Sequence, residues 1–109
     1  MIWWRDLAYF LGGAFLANAA PHYLSGVMGR PFQTPFAKPR GEGLSSSTVN
    51  VLWGFVNLGI AYFLILHVGA FDARAGDQIG SLGLGVLLMG LLAARLFGRF
   101  HGGNSPVGP

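Results

Sequence analysis

Asn18 and His22 stand four residues apart in the stretch LANAAPHYLSG, residues 16–26. On a helix that spacing puts both side chains on one face, about 6 Å apart along the axis. Further along, Asn50, Gly54, Asn57 and Ala61 recur at spacings of four, three and four, again marking one face. Amides and imidazoles in apolar surroundings seek hydrogen-bond partners across helix interfaces, each worth around 1 kcal/mol or less. The spacing therefore predicts a polar seam in which Asn18 and His22 face Asn50 and Asn57. Two roles follow for it. The seam can hold two helices together, or it can form a ligand or proton site, because imidazole titrates near neutrality.

Other chemistries do not assemble. Cysteine is absent, so disulfides, thiolate metal sites and a cysteine nucleophile are excluded. His67 lies about 25 Å from Asn50 along a shared helix, too far to join His22 on one metal ion, and no second ligand accompanies His22. A Glu42–His22–serine triad can be drawn with Ser45, Ser46 or Ser47, yet LSSST before an apolar run reads better as a helix cap. GSLGLG (80–85) lacks the preceding strand and following lysine of a phosphate loop. No catalytic residue, metal or cofactor is expected.

Composition says where such a seam would lie. Of 109 residues, 52% are hydrophobic and 10% charged, with mean hydropathy +0.51. Soluble domains carry about 25% charged residues, so the lipid bilayer is the expected surroundings. Seven basic residues against four acidic ones give a pI near 10.0. They are scattered as flanks of apolar runs and form no basic stripe, which argues against nucleic acid.

Three apolar segments emerge. Ile79–Phe97 has Arg95 as its only charge, and Val49–Phe71 has none. Both reach the roughly 20 residues that cross a bilayer core. Leu7–Ala20 is too short alone, but extension to Met28 makes a spanning helix if Pro21 is accommodated as a kink. Alternatively, Ala17-Asn18-Ala19 satisfies the small-x-small cleavage rule of a secretory signal. Trp3 and Trp4 resemble an interfacial anchor, and Asp6 cancels Arg5, which favours a retained helix. The expectation is an all-α membrane protein with three transmembrane helices at about 7–28, 49–71 and 79–97. It forms one domain, 1–98, with a Pro-rich loop at 29–47 and a disordered tail at 99–109.

In that loop Pro31, Pro35 and Pro39 recur every four residues and disfavour helix. Phe32 and Phe36 are expected either at the interface or tucked against the helices, and one residue from Ser45 to Thr48 is expected to cap the second helix. Arg30, Lys38, Arg40, Arg95 and Arg99 fall on one side of a three-span chain, and Arg5 and Arg74 on the other. The bias places the loop and C-terminus in the cytoplasm and the N-terminus outside. Gly90, Ala94 and Gly98 on the third segment, with Gly13 and Ala17 on the first, form small-residue stripes suited to close helix packing within or between protomers.

Over residues 17–59 the chain resembles a group of small bacterial integral membrane proteins of no assigned activity. They share an Asn-x-x-Pro-His helix end, a Pro-Phe-rich loop and Leu-Ser-Ser before an Asn/Trp-containing helix. The resemblance implies bacterial origin and a three-helix membrane fold, and no mechanism. A single three-helix bundle encloses little interior, so the small-residue stripes suggest an accessory or interaction role in a homo-oligomer or larger complex of the inner membrane. The alternative is a small-molecule or ion transporter formed by an oligomer, with the seam lining its path, and a membrane enzyme acting on lipids is the third reading. A retained first helix predicts that the mature protein starts upstream of Ala20; N-terminal sequencing that finds Ala20 first would overturn it.

Overall fold

The computed structural model describes residues 3–106. Helix α1 spans Trp3–Val27. A two-residue antiparallel pair follows, β1 (Phe32–Gln33) with β2 (Leu44–Ser45), in which Phe32 faces Ser45 and Gln33 faces Leu44. Helix α2 spans Ser47–Tyr62 and runs on as a π-helical segment, Phe63–Val68, and α3 spans Gly76–His101. The molecule measures 46 × 30 × 23 Å, so its long axis exceeds the roughly 30 Å of a hydrocarbon core.

Two of the helices, Ser47–Val68 and Gly76–His101, are long and apolar enough to cross a membrane. Little of either is buried within the chain: 17% and 6% of the residues in their most apolar windows. Helix α1 was expected as a third span. At 25 residues it has the length, but it does not reach the same apolarity. Its place in the fold accounts for this. α1 packs extensively against both α2 and α3, whereas α2 and α3 have little contact with one another. The middle helix therefore meets protein on two sides, and polar side chains there can be satisfied by neighbours.

Glycines set the spacing of this three-helix layer. A Cβ on Gly13 would lie 2.3 Å from the Leu82 carbonyl oxygen, and one on Gly85 would lie 2.0 Å from that of Phe10. These two glycines mark the α1–α3 crossing. Against α2, a Cβ on Gly26 would lie 2.6 Å from the Ser47 carbonyl oxygen, and one on Gly54 would lie 2.6 Å from the Tyr23 nitrogen. Gly12 and Gly13, adjacent in sequence and about 100° apart around the helix, thus serve the two different neighbours, since Gly12 abuts Ile65.

The expected stripe on α3 is not where the helices meet. Gly90 and Ala94 are exposed, and a Cβ on Gly90 would touch nothing. Gly98 abuts Asn104 of its own C-terminal turn. Ala17, Gly90, Ala94 and Gly98 instead line an open apolar groove of about 390 Å³, together with Pro21, Phe32, Ala93, Phe97 and His101. The physical reason is a wedge. Phe32 from the loop sits against Phe97 with ring centroids 4.7 Å apart, so α1 and α3 do not close on each other beyond the Gly13–Gly85 crossing.

Local signals explain the element ends. Ser46 caps α2, its hydroxyl accepting from the Val49 N–H at 3.2 Å. α1 continues through Pro21 with no break in the helix. At the other end of the molecule the Tyr9 hydroxyl donates to the Gly69 carbonyl, just past the π-helical segment, and the Tyr9 ring meets Phe71 edge-on at 5.4 Å. The tail expected from residue 99 begins later. α3 extends through His101 and ends on left-handed Gly102, whose N–H bonds the Gly98 carbonyl, and the Asn104 amide donates to the Arg95 carbonyl at 3.0 Å. Residues 107–109 of the expected tail lie outside the described residues.

Gly85→Ala is expected to destabilise the fold by about 1–3 kcal/mol, because the methyl group meets backbone that cannot step aside. Gly83→Ala, with open space around it, should stay within about 0.5 kcal/mol of the parent. Denaturant unfolding in detergent micelles distinguishes the two.

Candidate functional site

The structure brings Asn18, His22, Asn50 and Asn57 together. His22 Nδ1 lies 2.9 Å from Asn50 Oδ1, and Asn18 Nδ2 donates to Asn57 Oδ1 at 3.0 Å. Three of the four are buried: His22 is 2% exposed, Asn50 and Asn57 are 0%. The four-residue step on α1 and the seven-residue step on α2 match because the helices cross at Gly26 and Gly54, close enough for short side chains to reach across.

Asn50 has a second set of bonds that spacing alone does not suggest. Its Nδ2 donates to the carbonyls of Phe32 at 3.2 Å, Ser45 at 3.1 Å and Ser46 at 3.0 Å. These are the backbone oxygens of β1, β2 and the α2 cap. One amide group thus ties the folded loop to the helix pair. The same bonds fix which way the amide points, since turning it over would aim Oδ1 at three carbonyl oxygens. Oδ1 only accepts, so His22 donates through Nδ1–H, and in the neutral ring the lone pair lies on Nε2.

The Pro-rich loop folds over this end of the helices. Phe32, Gln33 and Thr34 are all buried. Thr34 Oγ1 and Ser45 Oγ are 2.5 Å apart, and Thr34 Oγ1 also accepts the Phe36 N–H. Of the two phenylalanines in PFQTPF, Phe32 tucks inward, against His22 edge-on at 5.5 Å. Phe36 stays 62% exposed while touching Trp53 edge-on at 4.9 Å.

His101, expected on the disordered tail, is drawn into the site. Its ring stacks on Phe32 at 4.9 Å, and its Nε2 meets Gln33 Oε1 at 2.8 Å. His22 and His101 therefore flank the same phenylalanine. Gln33, Phe97 and His101 were passed over in the sequence because none shares a helical stripe with Asn18 or Asn50. Trp53, three residues after Asn50 and four before Asn57, lies on their stripe and was missed because only the polar positions of that face were read. Their only shared signal was a cluster of aromatic residues at segment ends. His67 is separate and exposed, stacked on Phe63 at 5.1 Å. Among the described residues, no three His, Asp or Glu side chains converge as they would around a metal.

A triad built from Glu42, His22 and a serine finds no geometry here. The His22 nitrogen that such a carboxylate would orient is taken by Asn50. Ser45 is bonded to Thr34 and Ser46 caps α2. What the arrangement leaves is a small cavity of about 140 Å³, lined by Asn18, His22, Gln33, Thr34, Pro35, Gly41, Trp53 and Phe97, with no charged side chain in its wall.

Asn50→Leu is expected to cost about 2–4 kcal/mol, since it strands the buried His22 Nδ1–H and loosens three carbonyl bonds at once. Asn57→Leu, which breaks one interhelical bond, should cost less than half as much. Unfolding measurements give the ranking, and limited proteolysis should cut within residues 29–46 only in the Asn50 variant.

No protein-family model, curated protein or solved structure matches this chain.

Proposed function

We propose that the chain is a small multi-pass membrane protein with three spanning helices, working as an accessory or interaction subunit of a homo-oligomer or larger membrane complex. The observation that carries this reading is the open three-helix layer. α2 and α3 flank α1 and cover little of one another. They leave broad apolar faces, with Leu52, Phe55, Tyr62, Leu87 and Leu91 all more than half exposed. Lipid accepts such faces, and helices of another protein accept them as well. The groove over Ala17, Gly90 and Ala94 adds a site where a further helix could approach closely, because its walls are small residues not used within the protomer.

The orientation rests on charge. The end bearing the loop carries Arg30, Lys38, Arg40, Arg95 and Arg99 against the single acid Glu42. The opposite end carries Arg5 and Arg74 against Asp6, Asp72 and Asp77. Such an asymmetry favours the loop end in the cytoplasm and the N-terminus outside. The bacterial inner membrane is part of the proposal, and its support is the resemblance read from the motifs in residues 17–59 together with this charge bias. A transport path through the seam is the weaker reading, because the amides pair with one another and the folded loop covers their end.

Purification in mild detergent or lipid nanodiscs, followed by native mass measurement, tests the proposal. The expected result is a defined oligomer or one dominant larger partner. Gly90→Leu should disrupt that assembly while leaving the protomer folded, since a Cβ there meets nothing within the protomer and the longer side chain has the open groove to enter. A monomer in nanodiscs with no partner would overturn it.

A further inference from the structure

The cavity beside His22 retains hydrogen-bonding capacity that the protein does not use. Nδ1 of His22 is committed to Asn50, which leaves the Nε2 lone pair. Nε2 makes no hydrogen bond among the described residues and keeps surface that a guest could reach. Asn18 spends its Nδ2 on Asn57 and keeps Oδ1 free among the described residues. Trp53, in the same wall, has a buried Nε1–H with no acceptor.

Shape and surroundings narrow the occupant. A cavity of about 150 Å³ holds one benzene ring, and this one is about 140 Å³. Its walls include two aromatic side chains, Trp53 and Phe97, placed edge-on to the His22 ring at 6.4 and 5.8 Å. Aromatic walls favour an aromatic guest in edge or offset contact. With no charged side chain in the wall, a charged guest would be poorly compensated. The lone pair on Nε2 asks for a donor, and a hydroxyl oxygen can in turn accept from an N–H.

From these observations we propose that the cavity is a binding site for a single uncharged hydroxylated aromatic ring, a small phenol, whose hydroxyl donates to His22 Nε2. The ring occupies the space beside Trp53 and Phe97. This inference is independent of the oligomeric role proposed above, since every group it uses belongs to one protomer.

The test uses the full chain in detergent, labelled with ¹⁵N-histidine and titrated with phenol. The Nε2 resonance of His22 should shift and saturate, while exposed His67 reports the response of a histidine outside the cavity and should not saturate. Benzene, which lacks the hydroxyl, should bind about tenfold more weakly, the worth of one hydrogen bond. The His22→Phe variant should lose the preference for phenol over benzene, and if it does not fold, the titration of the parent protein decides the matter alone. No saturable shift at His22, as for a cavity that holds water only, overturns the proposal. Equal affinity for phenol and benzene overturns it too.

Discussion

Asn50 is the point on which the rest of this structure depends. A single carboxamide, fully buried, faces in two directions at once. Its nitrogen gathers three carbonyl oxygens from the loop and the start of α2, and its oxygen receives the imidazole of α1. Remove it, and the loop, the α2 cap and the helix pair lose their common anchor. The tautomer of His22 follows from the same group, because an oxygen held in that position can only accept. Local backbone geometry and the tautomer of a neutral imidazole 28 residues away thus share one cause.

Around that anchor the fold obeys a simple division of labour. Glycines decide how near the helices come, and aromatic residues decide where they stop. At the Gly13–Gly85 crossing backbone lies almost against backbone. Beyond it, Phe32 and Phe97 hold α1 and α3 apart and line the apolar groove, and Phe97 also walls the cavity beside His22. Phe97 belongs to both spaces. The groove and the cavity are therefore neighbours separated by one ring.

Much of the helical framework was legible in the sequence, because apolar runs of bilayer length are a composition signal that needs no tertiary knowledge. The pairing of Asn18 with Asn57 and His22 with Asn50 was legible as well, since helical periodicity and chain direction together set depth and face. Three things were not. Whether the Gly90–Ala94–Gly98 stripe packs within or between protomers was open, because spacing records which residues share a side and says nothing of where a neighbouring helix crosses; within the protomer none crosses it. The Pro-rich loop left two placements open for Phe32 and Phe36, because its order comes from Asn50, whose amide bonds it from outside. His101 looked like part of a loose tail because the residues that hold it, Phe32 and Gln33, lie almost seventy positions away.

The central position of α1 has a consequence for how the chain is made. α1 precedes both of its neighbours in sequence, yet it is the helix whose side chains most need them. Asn18 and His22 have no interhelical partners until α2 has been synthesised, and Gly13 has no backbone to rest against until α3 follows. Synthesis runs from the least self-sufficient helix to the most. In a membrane, α1 would be a provisional guest, committed to its place only when the two more apolar helices close in on either side.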